Sequence, residues 1–348
     1  MQTGQIFGFN IMKKLFFIHI PLLVLLLHSC SENRLEVDTS DVDIEYKSKR
    51  FDRDLFTADF KNASSEYQRL SQEYPEFYPL YCEFVLRVGS ADSLSTFKSL
   101  EGFTNDDFMH ETYEAIQKVH AEKQIDEYDN QLEEAFKHYS YYFPDSIVPT
   151  VVYHHSGFNF GVISADSTIA IGLEWFLGKD NKVIGQLPFP AYRKAKMRPD
   201  YLAINAVKDW ANHTYYQETD EMNLIEQMIY YGKIMYLVDA FAPTVEDSLK
   251  MNYTTPQIQW VETNEFKVWE QLANQKTLFE DKPFEVQKWF SDGPFTATLP
   301  HESPPMVGIW MGWQMVRDYM NRKDEVSIRQ MLEIEDPQIF LNEYNPRK

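Results

Sequence analysis

Cysteine, glycine and basic charge are the scarce ingredients of this 348-residue chain. There are two cysteines, Cys30 and Cys82, and no Cys-x-x-Cys pair, so thioredoxin-like and zinc-ribbon chemistry are excluded. Only 13 glycines are present, and neither a P-loop nor a Gly-x-Ser-x-Gly elbow occurs. That removes Walker-type phosphate binding and the serine-hydrolase elbow, argues against a Gly-rich dinucleotide fold, and favours helices. Lys and Arg total 33 against 53 Asp and Glu, a formal net charge of −20. Such a surface repels a phosphate backbone, so no nucleic-acid partner is expected. The one short basic run, residues 193–198, reads as a solvated loop.

What is present begins at the N-terminus. Lys13 and Lys14 precede an apolar run over residues 15–27, broken only by His19 and Pro21, and then come His28, Ser29 and Cys30. This is a signal-peptide pattern, with Met12 as an alternative start and an apolar core too short to span a bilayer comfortably. The Leu27-His28-Ser29-Cys30 ending fits a lipobox, in which residues 1–30 hold the signal and cleavage falls before an acylated Cys30. A plain secretory peptide or a single anchor helix is the competing reading. Each acyl CH₂ buried in lipid contributes about 0.8 kcal/mol, so several chains make a stable anchor where one would be marginal. With Cys30 lipidated, only Cys82 remains, and no intramolecular disulfide is expected. Cys82 lies in an apolar stretch and reads as a buried small hydrophobe.

Residues 31–50 are polar and are expected to form a tether, with the alternating "VDIEY" as a short strand within it. From residue 51 to about 145 the pattern is helical. Phe108, Tyr113, Ile116 and Val119 form one stripe, and Tyr128, Leu132, Phe136 and Tyr139 another. Residues 148–173 are rich in β-branched and aromatic side chains and read as strand, strand, turn, strand. Helical patterns return afterwards. Helices, a small antiparallel sheet, then helices make an α+β, predominantly helical fold.

The stretch 223–241, "NLIEQMIYYGKIMYLVDAF", has the length and apolarity of a buried helix with a single early glutamate, Glu226. Zinc peptidases of the zincin type place His-Glu-x-x-His on such a helix, because histidines four apart share one face and can share a metal. Aligned on Glu226, those positions are Ile225 and Ile229, which have no lone pair to offer. Metal and catalytic residues are therefore assigned to none, and no cofactor is expected. Glu226 reads either as a polar-face residue near Lys233 or as the relic of a catalytic glutamate reused in binding. His154 and His155 follow one another in a strand, point to opposite faces and cannot chelate one metal together. They stay candidate binding residues, and with Glu226 they would form the atypical site of an alternative hydrolase (peptidase or amidase). Gly308 and Gly312 lie four apart beside Trp310 and Trp313, a strip that suits either internal helix packing or a partner-binding face.

Five segments carry a resemblance: the lipobox start, "IAIGLEWFLGKD", "LIEQMIYYGKIMYLVDAFAP", "PPMVGIWMGWQMVRDYM" and the closing "FLNEYNPRK". Together they resemble the GldB family of gliding motility-associated lipoproteins, over residues 51–348. The resemblance implies a cell-envelope lipoprotein needed for gliding and for the associated adhesin secretion, with envelope proteins of that machinery as partners. It implies a lipid anchor facing the periplasm, in either membrane. The family in turn resembles zincin-type predicted zinc peptidases, implying a degenerate zincin-like architecture with a helical part at 51–145 and a zincin-like part at 146–348. The implied role is a non-enzymatic pseudo-peptidase scaffold for a protein or peptide partner. A groove beside a sheet edge, able to accept an extended peptide as an added strand, would be its means.

Overall fold

The computed structural model describes residues 33–274 and 277–347. The signal-like segment and Cys30 lie outside the described residues. Residues 34–348 cluster as one compact unit.

A four-stranded sheet sits at the centre. Its strands are β1 (Ser48–Arg50), β2 (Thr150–His154), β3 (Val162–Ala165) and β4 (Thr168–Gly172), in the spatial order β1-β2-β4-β3. The two pairings made by β2, with β1 and with β4, are parallel, and only the β3–β4 hairpin is antiparallel. The expected antiparallel sheet is thus corrected to a mixed one. The chain leaves β2, forms β3 at the outside edge, and returns through a tight turn at Asp166 so that β4 fills the place beside β2. β4 is buried along its whole length and β2 nearly so. A parallel pair covered on both faces gives such continuous apolar runs.

Alternation along the strands divides the core. Val152 and Ala170 face a layer that includes α1 (Ala63–Glu73) and α2 (Leu94–Asn105). Val151, Tyr153, Ile169 and Ile171 face the opposite layer. That second layer includes residues of α3 (Asp107–Val119), α4 (Glu122–Tyr142), α5 (Leu202–Thr214), α6 (Leu224–Phe241), α7 (Thr255–Asn274) and α8 (Val307–Arg322). The division expected near residue 145 is therefore not where the cores part. α4 belongs wholly to the second layer, burying Tyr128, Leu132, Phe136 and Tyr139, the stripe its sequence shows.

Residues 34–50 are not a free tether. Arg34 donates to the carbonyls of Met320 (2.6 Å) and Val326 (3.3 Å), at the end of α8. Leu35 and Thr39 are buried, Tyr46 and Ser48 donate to Asp129 of α4, and Ser48–Arg50 completes the sheet as β1. This strap is a structural strand and wall of the body. No helix among the described residues is long and apolar enough to cross a membrane.

Candidate functional site

The helix that resembles a protease helix is held at its start by its glutamate. Asn223 is the N-cap: its side-chain oxygen accepts from the Glu226 N–H (3.2 Å), and Glu226 Oε2 accepts from the Asn223 N–H (2.8 Å). This capping box satisfies two donors that a helix start otherwise leaves open. Ile225 and Ile229, at the metal-ligand positions, are buried in hydrocarbon. The expected neighbour Lys233 points elsewhere, donating to the carbonyls of Leu332 and Ile334, and burial pushes its ammonium down to about 8.

Farther along, α6 crosses α8 with backbones in contact. A Cβ on Gly312 would stand 1.7 Å from the Met228 carbonyl oxygen, and one on Gly232 2.3 Å from that of Gly312. Trp310 and Trp313 are fully buried at this crossing, so they form internal packing and not an exposed partner face. The Trp313 indole N–H donates to Asp239 (2.8 Å), which also receives Lys250 (2.8 Å) and Arg317 (2.7 and 2.8 Å). Burial opposes the Asp239 charge, but Arg317 and Lys250 outweigh it and hold the carboxyl below its usual range. Sequence reading passed over Asp239, although an acid inside an apolar helix signals a buried cationic partner.

His154 and His155 diverge as strand neighbours should. The His154 ring lies among Phe77 and Tyr81, wholly buried, and burial pushes it down to about 4, leaving it neutral at pH 7. His155 stacks on Phe56, with Nδ1 3.6 Å from Glu174 Oε2. Glu174, which sequence reading did not single out, has its other oxygen accepting from the N–H groups of Ser156 (2.8 Å) and Phe158 (3.0 Å) and facing the Ser156 hydroxyl. Burial would raise its pKa, yet His155, His154 and Ser156 together bring it down to about 2. The carboxylate fixes a turn whose Gly157 and Phe158 both have positive φ (67° and 64°). The His-Ser-Glu trio is not a nucleophilic triad. Ser156 is fully buried, and its hydroxyl oxygen also accepts from the N–H groups of Asn159 and Phe160. No hydrogen bond or ring contact joins either histidine to Glu226 among the described residues. Nor is any group of three or more His, Cys, Asp or Glu there arranged to hold a metal ion. Cys82 is buried, which pushes its thiol up to about 11 and leaves it unreactive.

The edge strand β3 is tied to α5: Asp209 accepts from the hydroxyl of Ser164 (2.8 Å). A helix packed against an edge strand is a common protection of sheet edges.

An open concavity lies elsewhere. The strap, α4, α5 and the end of α6 enclose a cavity of about 530 Å³, within the size range of ligand sites. Its floor is apolar, with Ala203, Ile204, Val207, Phe241 and Leu249. Its rim holds Glu36, Asp38, Glu134 and Asp200, and no lysine or arginine lines it. His138 lines it too, nearly buried, its Nε2 without a partner among the described residues. A second hollow of about 330 Å³ adjoins it through Thr39 and Glu134 and follows residues 39–44 of the strap. This groove was not foreseen. Its one local sign is the alternation of Asp41, Asp43 and Glu45 with Val42, Ile44 and Tyr46.

Comparison with known proteins gives one result. Neither the curated proteins nor the solved structures provide a match. A protein family described as gliding motility protein GldB matches residues 32–346, nearly the whole chain and every element described above. The chain belongs to the GldB family of gliding motility proteins.

Proposed function

We propose that this protein is a lipid-anchored component of the cell envelope that supports gliding and the associated adhesin secretion by holding a protein or peptide partner, without cleaving it. Cys30 would carry the lipid, and envelope proteins of the gliding machinery would be the partners. The observation that carries the non-enzymatic reading is the capping box. The one carboxylate that could serve a zinc peptidase is hydrogen-bonded to its own helix start, and buried isoleucines stand where imidazoles are needed. The groove beside the strap is the surface we favour for a partner, because the β3 edge strand is tied to α5 and Trp310 and Trp313 are internal.

The test uses the purified full chain, assayed for bound metal and for peptide cleavage, with Glu226→Gln and Glu226→Ala alongside. Glutamine can replace glutamate in a capping box. Glu226→Gln should therefore keep stability close to the parent, and Glu226→Ala should lose about 1 kcal/mol. No cleavage and no stoichiometric metal are expected in any of the three. Stoichiometric zinc together with peptidase or amidase activity that Glu226→Gln abolishes would establish the hydrolase reading instead.

A further inference from the structure

We infer that the groove between the strap and α4 receives an extended basic segment of a partner protein, with one bulky apolar side chain in the cavity and Lys or Arg residues along the adjoining trough. This rests on the partner-binding reading above and names the partner's chemistry.

Charge is the first argument. The cavity and trough together present Glu36, Asp38, Asp41, Asp43, Glu133 and Glu134, besides Asp200 on the cavity rim. Lys137 is the one lysine or arginine lining either hollow, and it is engaged with Glu133 at 2.9 Å. Asp200 is paired with Arg198. Glu36, Asp38 and Asp41 have no lysine or arginine partner among the described residues; Lys137 also acts on Glu134 and Asp43, and Glu134 lies 3.4 Å from His138. Their like charges repel, and physiological salt screens that repulsion over about 8 Å. A basic ligand relieves that repulsion. An acidic peptide or an anionic lipid surface would add to it.

Shape is the second argument. Asp41 and Asp43 are exposed and two apart: Asp41 sits in the turn closed by the Val42 N–H to the Thr39 carbonyl (3.0 Å), and Asp43 follows in a stretch where Ile44 and Tyr46 pack on the core. Residues i and i+2 of an extended peptide stand roughly 6.5 Å apart, so Lys or Arg at alternate positions can reach successive carboxylates along the trough. The apolar cavity opens directly beside them through Thr39 and Glu134. A flat acidic face would bind polycations without regard to apolar content. This groove requires both features in one short segment.

The experiment is fluorescence anisotropy on the full lipidated protein in detergent micelles, with three labelled synthetic dodecapeptides. The first has a central Phe-Leu flanked by lysines at alternate positions. The second replaces those lysines with glutamate, and the third replaces Phe-Leu with serines. The first should bind saturably, more weakly as salt rises, and the other two at least about tenfold more weakly. Asp41→Lys combined with Asp43→Lys changes exposed side chains only and should weaken the first peptide by about tenfold or more, whereas Glu101→Lys on α2 should leave it unchanged. The inference is overturned if the first peptide does not bind, if the acidic peptide binds as well, if the serine peptide binds equally, or if the double reversal has no effect. Any of these leaves the metal and cleavage results, which test the non-enzymatic reading, to be judged separately.

Discussion

Replacing Gly312 with alanine isolates the contact on which the second layer depends. The new Cβ would lie 1.7 Å from the Met228 carbonyl oxygen and 2.4 Å from its carbon, where neither backbone can yield alone. Restoring ordinary contact requires α6 and α8 to part by about 1.5 Å. A radial gap of 0.5–1 Å already forfeits roughly a quarter to a half of a dispersion contact. Met228, Trp310 and Trp313 all pack at this crossing. Losses of about 1–2 kcal/mol at each give about 3–6 kcal/mol in total. Alanine's better helix propensity returns about 1 kcal/mol, leaving a net loss of about 2–5 kcal/mol out of a typical 5–15 kcal/mol. Gly102 on α2 supplies the control, because nothing lies within 4 Å of its Cβ position. There the propensity term acts alone, and Gly102→Ala should stabilise by about 0.5–1 kcal/mol. Urea denaturation followed by tryptophan fluorescence reads both, as a fall in midpoint for one and a rise for the other at unchanged slope. A Gly312→Ala protein as stable as the parent would refute the backbone-contact account of this crossing.

Acid should unfold the protein in two stages. His154 and His120 are each held near 4 by burial, below the ordinary histidine value of 6.5, so protonation favours the unfolded chain. Their contribution is complete above about pH 6.5 and is lost as pH falls from there towards 4. Glu174 is held near 2, so its contribution is complete above about pH 4.5 and is lost between there and 2. His154→Phe should flatten the first stage without weakening the protein at pH 7, since both ring nitrogens lack partners among the described residues; denaturation midpoints from pH 7.5 to 4 measure this. Asp239→Asn should cost about 3–5 kcal/mol by chemical denaturation, because it leaves Lys250 buried without its counter-charge. Asp247→Asn, at a more exposed site that shares Arg317, should cost about 1 kcal/mol.

Elements with their own periodicity were legible in the sequence. The stripes of α3 and α4 are surface-helix patterns, and β2, β3 and β4 announce themselves through β-branched runs and a turn. Strand direction was not legible, because β4 pairs with β2 across an intervening hairpin, and no local signal specifies that order. The strap misled through composition. Its polar residues alternate with Val42, Ile44 and Tyr46, and that period of two is the signature of a half-buried extended segment. The capping box was present as Asn223-x-x-Glu226, where Glu226 reads as a polar-face residue or a catalytic relic instead. Trp310 and Trp313 could not be placed by spacing, since a helix covered on most sides has no single apolar stripe. The groove escaped notice because its walls come from residues 36–44, α4, α5 and the end of α6, far apart in the chain.

The distribution of charge differs between the interior of this protein and the strap groove. Inside the body, each buried carboxylate discussed above is engaged by protein groups: Asp239 by Lys250, Arg317 and Trp313, and Glu174 by two backbone N–H groups, Ser156 and the neighbouring His155. Glu226 closes its own helix start, and at the far end of the chain Tyr344 and the Arg347 N–H clasp Glu265 of α7. Groups so engaged would have to surrender native hydrogen bonds to act on a substrate. An active site keeps its reactive groups poised for an incoming one. The strap groove is arranged differently: Lys137 serves Glu133, Glu134 and Asp43 and Arg198 pairs with Asp200, while Glu36, Asp38 and Asp41 stand without a lysine or arginine partner among the described residues beside an apolar hollow. In a chain with a formal charge of −20, such a cluster adds to the self-repulsion of the surface. A protease-like helix whose polar groups serve the fold, and a groove whose polar groups face solvent, are the two features on which the proposed partner-holding role rests.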